Sequence, residues 1–256
     1  MIVYLSYSYH AMQRPKENDM TEKTIVITGA GQRIGLALAI HFQQQGYGVI
    51  ASYRSEKPGV NILREAGVTC IQADFSTDKA IHDFARELAA RNVIIRALIH
   101  NASDWNAESK TDDYATLLDA MMQIHVKTPY LLNLALAPFM AKERPARSDI
   151  IHFTDYVVRK GSEKHIAYAA SKAALDNLTL SFAQKLAPAV KVNSIAPALI
   201  MFNERDDETY RAKALSKSLM GIAPGEQEVI NAVEFILNSR YMTGQSINLD
   251  GGRALK

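Results

Sequence analysis

A chain of 256 residues, 48% of them hydrophobic, can bury a substantial core and sits near the upper size for one domain. Its formal net charge of +2 comes from 29 Lys/Arg against 27 Asp/Glu without a basic run, which argues against nucleic acid or an anionic membrane as the main partner. The one cysteine, Cys70, excludes an internal disulfide, no Cys/His spacing suggests a metal, and no run approaches the ~20 apolar residues of a membrane span, so a reducing, cytoplasmic setting is expected.

Residues 1–20, MIVYLSYSYHAMQRPKENDM, lack a basic start, a long apolar centre and a small-residue cleavage site, so they make a poor signal peptide. A flexible N-terminal extension over 1–22 is expected, or a translation start at Met12 or Met20. From Lys23 onward, apolar β-rich runs alternate with helical patterns. The runs are KTIVITG (23–29), YGVIASY (47–53), TCIQADF (69–75), RALIHNA (96–102), DIIHFTD (149–155), VKVNSIAP (190–197) and QSINLDG (245–251). Helices are expected over 33–45, 57–66, 78–91, 113–142, 164–187 and 226–238. Several of the runs are apolar without polar alternation, as in strands covered on both faces. This pattern predicts an α/β fold: a single doubly wound (Rossmann) domain over 23–256 with a seven-stranded parallel sheet. Cys70, inside VTCIQADF, reads as a small core residue. The charged insertion FNERDDETYRAKALSKSLMGIAPGE (202–226) interrupts the rhythm and is expected to form a substrate lid, a solvated surface helix pair being the plainer alternative.

Several groups of residues carry chemistry. TGAGQRIG (28–35) follows the first strand and opens the first helix, where small residues admit a pyrophosphate and the helix N-terminus supplies N–H donors. After the second strand, where an acidic residue holds the ribose 2′-hydroxyl in NAD proteins, this chain has Arg54 and Ser55, which suit a 2′-phosphate. Asp74, Asn101 and Ala102 fall at the following strand ends. Tyr168 and Lys172 lie one helical turn apart, and Asp155 stands thirteen residues before the tyrosine. An ammonium near a phenol favours the phenolate, so Lys172 is expected to lower the Tyr168 pKa. Asp155 also suits a plain role in capping the turn after the fifth strand. Trp105, the sole tryptophan, follows the fourth strand, where a flat indole can stack on a planar ligand.

TGAGQRIG, HNAS (100–103), Tyr168-x-x-x-Lys172, VNSIAP and TGQSINLDGG together resemble the short-chain dehydrogenase/reductase family over about residues 23–253. Arg33, Tyr53-Arg54-Ser55, Trp105 and Asp155, in place of that family's usual serine, resemble its pteridine reductases. The resemblance implies NADPH-dependent reduction of a dihydropterin C=N, most closely that of 7,8-dihydromonapterin, with weaker dihydrofolate activity. It implies a catalytic set of Asp155, Tyr168 and Lys172, with no metal. It implies that NADPH is held by Gly29, Arg33, Ile34, Tyr53, Arg54, Ser55, Asp74, Asn101, Ala102, Ser103, Tyr168, Lys172 and Pro197. The pterin would lie against Arg33, Trp105, Asp155, Tyr156, Tyr168 and Phe202, in a homotetramer or dimer joined through the two long helices. His125 stands where many family members place an asparagine that relays protons to the lysine. The alternatives are a ketone reductase, such as one acting on a 3-oxoacyl thioester, and a non-catalytic NADPH-binding regulator.

Overall fold

The computed structural model describes residues 23–140 and 148–256. The expected N-terminal extension lies outside the described residues, as does the end of the helix expected over 113–142. Seven strands form one all-parallel sheet: β1 (Lys23–Ile27), β2 (Gly48–Tyr53), β3 (Thr69–Gln72), β4 (Ile94–His100), β5 (Ser148–Phe153), β6 (Val190–Pro197) and β7 (Ser246–Leu249). Their order is β3-β2-β1-β4-β5-β6-β7. The connection reverses direction between β1 and β4, which opens a crevice beyond their carboxyl ends.

The helices are α1 (Arg33–Gln44), α2 (Pro58–Glu65), α3 (Asp78–Ala90), α4 (Tyr114–Met122), α5 (Thr128–Leu136), α6 (Val157–Lys160), α7 (Ile166–Leu186), α8 (Glu208–Leu215) and α9 (Glu226–Asn238). Side-chain alternation along each strand explains the continuous apolar runs, because both faces are buried. Ile25, Ile27, Ile99 and Ile151 pack with Leu38 and Phe42 of α1 and Val233 and Ile236 of α9. Val26, Leu98 and Ile150 point the other way, against Phe84 and Leu88 of α3, Leu132 of α5 and Phe182 of α7. Cys70 is partly buried and packs against the first of these cores.

Two helical expectations change. The helix expected to run unbroken from residue 113 is α4, a π-helical turn at Gln123–Lys127, and α5. The wide turn carries His125, which is 1% exposed. Such turns give up regular hydrogen bonding to re-aim a side chain. The 202–226 insertion contains one helix, α8, rather than a pair; turns occupy the rest. Asp207 starts α8 by accepting from the Tyr210 N–H (2.7 Å).

Beneath the crevice runs a buried polar chain. His100 Nε2 donates to Asn133 Oδ1 (2.8 Å), Asn133 Nδ2 donates to His152 Nε2 (3.1 Å), and His152 Nδ1 donates to Thr179 Oγ1 (2.9 Å). All four residues are at most 3% exposed. Each bond sets the tautomer of the next, and both imidazoles are neutral: burial holds His100 down at about 4 and His152 well below the usual histidine value.

Candidate active site

The turn after β1 is locked to the end of β4. The Asn101 amide donates to the carbonyls of Thr28 (3.1 Å) and Gly29 (2.9 Å), while the N–H groups of Asn101 and Ala102 donate to Thr28 Oγ1 (3.1 and 3.0 Å). Gly29 has φ +66, and a Cβ there would stand 2.6 Å from the Ala102 Cα, so only glycine fits the approach. Sequence reasoning passed over Thr28 and Ser52, whose hydroxyl accepts from the Gly29 N–H (3.1 Å). A hydroxyl directly before the glycine turn was the available signal for Thr28.

The N-terminus of α1 has neither a side-chain cap nor an acidic first turn, whereas α3, α4 and α8 are capped by Thr77, Asp113 and Asp207. Its free N–H groups suit an anion such as a pyrophosphate. Arg33 opens this helix at φ 54, a left-handed conformation that costs a non-glycine residue roughly 1 kcal/mol or more. Its guanidinium reaches across to Asn203 Oδ1 and to the Met201 carbonyl (3.2 Å), tying the turn to the start of the 202–226 insertion. Ile34 packs against the neighbouring core.

Just past β2, Arg54 and Ser55 are exposed. Arg54 already pairs with Asp104 (2.8 Å), bridging the loops after β2 and β4. Tyr53 is buried, and its hydroxyl bonds Glu56 (2.8 Å) and Arg64 (2.9 Å). It therefore contributes a wall beneath the turn rather than a free hydroxyl. Asp74 is exposed and caps its own turn through the Ser76 N–H (3.1 Å).

Past β5, each oxygen of Asp155 has its own partner. Oδ1 accepts from the Val157 N–H (2.9 Å) and caps the turn, while Oδ2 accepts the Tyr168 hydroxyl proton (2.9 Å). Burial raises the Asp155 carboxyl above the usual range, against the pull of Val157, Tyr168, Lys172 and Arg253. Lys172 is buried and donates to the Phe153 carbonyl (2.8 Å), with Nζ 5.6 Å from the Tyr168 ring centre. Burial brings it down to about 8.

The expectation that Lys172 lowers the phenol's pKa is not met. Burial and then the Asp155 carboxylate hold Tyr168 well above 10.0, because its hydroxyl faces the acid and not the ammonium. A neutral phenol backed by a carboxyl of raised pKa can deliver a proton when the carboxyl is itself protonated.

His125 is bonded differently from a relay to Lys172. Ser171 Oγ donates to the Tyr168 carbonyl (2.8 Å), so it accepts from His125 Nδ1–H (2.8 Å); Nε2 then accepts from the Ser103 hydroxyl (2.8 Å). Burial and the Lys172 charge push His125 down to about 2, so it is neutral. It acts as a strut between the loop after β4 and the turn of α7 that carries Tyr168 and Ser171.

Trp105 is 67% exposed and lies 4.8 Å, ring to ring, from His165, which sequence reasoning missed. Tyr156 lies under the Arg253 guanidinium (4.7 Å), and Phe202 under that of Arg211 (5.1 Å). Pro197 ends β6 beside Tyr156, whose N–H donates to its carbonyl (3.1 Å). The expected residues thus gather at the carboxyl ends of β1, β2, β4, β5 and β6, the region that ligands occupy in open α/β sheets.

A family model described as enoyl-(acyl carrier protein) reductase matches residues 29–254. A dihydromonapterin reductase of Klebsiella pneumoniae subsp. pneumoniae is 59% identical over 234 residues, 91% of this chain and 98% of its own. That of Escherichia coli K12 is 60% identical over 232 residues, 91% and 97% of the two chains. The chain belongs to the short-chain dehydrogenase/reductase family.

Among solved structures, FolM Alternative dihydrofolate reductase 1 from Brucella canis, complexed with NADP, superposes with a TM-score of 0.80 at 28% identity, covering 91% of this chain and 94% of that one. Asp155 meets the Tyr168 hydroxyl, and Arg33 meets Asn203 and the Met201 carbonyl, so the two charged residues contact opposite sides of the crevice.

Proposed function

We propose that this chain reduces 7,8-dihydromonapterin to the tetrahydropterin with NADPH, and turns over dihydrofolate more slowly. The observation that carries the reading is the Asp155 carboxyl facing the Tyr168 hydroxyl at 2.9 Å. Relatives 59–60% identical over nine-tenths of the chain bear the dihydromonapterin reductase name, and the Brucella canis neighbour was solved with NADP.

Bound NADPH supplies a hydride to the C=N carbon; the protein's part is to position the ring and protonate the adjacent nitrogen. Gly29 and the uncapped start of α1 suit the pyrophosphate, Arg54 and Ser55 the 2′-phosphate, and Lys172 the nicotinamide ribose. Trp105 stacks on the pterin, with Arg33, Tyr156 and Phe202 as further walls. Tyr168 gives its proton to the nitrogen, and protonated Asp155 replaces it across the existing hydrogen bond. An ionised Asp155 beside the phenol would oppose the developing oxyanion of a ketone, so ketone reduction is disfavoured wherever that carboxyl is unprotonated. The segment 202–226 is the lid, and a cytoplasmic homotetramer or dimer joined along α4–α5 and α7 is the expected assembly. No described helix is long and apolar enough to cross a membrane.

The test is NADPH oxidation with dihydromonapterin, dihydrobiopterin, dihydrofolate and an acetoacetyl thioester side by side. Turnover with pterins, dihydromonapterin fastest, is expected; turnover with the thioester alone overturns the reading. Arg54→Asp is expected to erode the preference for NADPH over NADH about tenfold or more, since a charge-assisted contact is worth roughly 1.5–3 kcal/mol. An unchanged ratio of kcat/KM values would remove Arg54 from the phosphate site.

A further inference from the structure

The loop after β4 and the start of α7 are fastened together at three points on the Trp105 side of the proposed pterin site. The Ser103 hydroxyl is joined to Ser171 through His125. His165 Nδ1–H donates to the Asn106 carbonyl (3.1 Å), and Glu108 Oε1 accepts from the Ala167 N–H (2.8 Å). The last two contacts share one offset of 59 residues, so the loop runs in register along the entry to α7.

The Glu108 contact differs in kind from the other two. Helix α7 begins without a side-chain cap from His165 and without an acid in its first turn. Its leading N–H groups therefore need an acceptor from elsewhere. Glu108 brings a carboxylate to them from a 3₁₀ turn, Glu108–Lys110, and places negative charge at the positive end of the helix dipole. The Ala167 N–H holds the Glu108 carboxyl below the usual range, against a smaller effect of burial, so the charge is present at neutral pH. Oε2 is enclosed by protein and has no hydrogen-bond partner among the described residues. Stability alone disfavours such an oxygen, which has lost its hydration without replacement. Its retention points to the geometry that the contact enforces.

Trp105 stands three residues before Glu108, and Tyr168 directly follows Ala167. Trp105 is 67% exposed, so little packing of its own holds the indole and the loop backbone must place it. We propose that Glu108 is a positioning residue for pterin binding: by capping α7 from the Trp105 loop, it sets the spacing between the indole and the Tyr168 hydroxyl. The pterin ring lies in the slot between them. The proposal rests on the reading of Trp105 as the stacking wall and Tyr168 as the proton donor. Glu108 touches neither substrate nor cofactor, and its effect passes through the loop and the helix that it joins.

The experiment has two arms, each with the full chain as wild type, Glu108→Ala and Glu108→Gln. The first reads time-resolved fluorescence anisotropy of Trp105, the sole tryptophan, without substrate. Fast local motion of the indole is expected to gain amplitude in Glu108→Ala. It should stay near wild type in Glu108→Gln, whose amide oxygen can still accept from Ala167. Equal decays in the wild type and Glu108→Ala overturn the latch. In the second arm, KM for dihydromonapterin is expected to rise about fivefold in Glu108→Ala, the equivalent of about 1 kcal/mol, with kcat and NADPH affinity within about twofold. Glu108→Gln should restore most of that loss. An unchanged KM, or a fall in kcat alone, leaves Glu108 as a helix cap and overturns the positioning role. Should Glu108→Ala fail to fold, Glu108→Asp, shorter by one methylene, carries the same expectations.

If the wild type turns over no pterin, the reductase reading fails separately. The first arm still decides whether the latch exists. The slot is then judged by dihydropterin binding to the NADP⁺ complex, read from quenching of Trp105. Affinity weakened about fivefold in Glu108→Ala supports it, and equal affinities or no binding overturn it.

Discussion

Replacing Asp155 by asparagine is expected to lower kcat at least about a hundredfold while changing NADPH affinity less than about threefold. Asparagine keeps the shape, and its oxygen can still cap the turn at the Val157 N–H, so the fold survives. What it loses is the exchangeable proton. With Asp155 ionised, the phenol hydrogen points at Oδ2 and is not offered to a substrate. With Asp155 protonated, the pair holds two protons and can release one. The wild-type rate should therefore rise as pH falls through the raised Asp155 pKa, and the variant should lack that limb. Profiles of kcat and kcat/KM against pH check both points. A variant with near-native kcat and the same limb would leave the carboxyl as a turn cap alone.

The second large effect concerns stability in acid. His100 is held at about 4 and His152 well below 6.5, in each case first by burial. Above about pH 6.5 both folded and unfolded imidazoles are neutral, and stability is insensitive to their titration. As pH falls from 6.5 toward 4, the unfolded chain takes up protons that the folded chain refuses, so stability falls; below 4 the His100 share levels off. His100 alone accounts for about 3 kcal/mol, at about 1.4 kcal/mol per pH unit, and His152 adds to it. Asp149 and Asp155, raised by burial, bind protons when folded and offset part of the loss. Urea unfolding at pH 7 and pH 5 should show a clear drop, and His100→Gln should flatten it. Equal free energies at the two pH values in the wild type would mean that the buried chain takes up protons without unfolding.

The parallel sheet was legible because strands buried on both faces leave unbroken apolar runs, and Ile25, Val26 and Ile27 serve two cores in turn. The glycine turn and the Tyr168–Lys172 pair were legible because local spacing determines their geometry. The contacts of Arg33 were not, because Asn203 and Met201 lie 170 and 168 residues further along the chain. The direction of the Tyr168 shift was hidden for a related reason. A spacing of four places Lys172 near the ring, but only the chain's path past β5 decides that the hydroxyl meets Asp155. His125 could be located on its helix, yet its π-turn and its bonds to Ser103 and Ser171 follow from tertiary packing.

Arg33 belongs to two places at once. Its backbone bends the turn where the dinucleotide is proposed to enter, and its guanidinium holds Asn203 and the Met201 carbonyl at the start of the proposed lid. Whatever orders one end therefore bears on the other, and such coupling is reciprocal: a change in affinity that the first ligand makes for the second is returned in equal measure. The strained φ of Arg33 is the local cost of joining the two binding equilibria through one side chain.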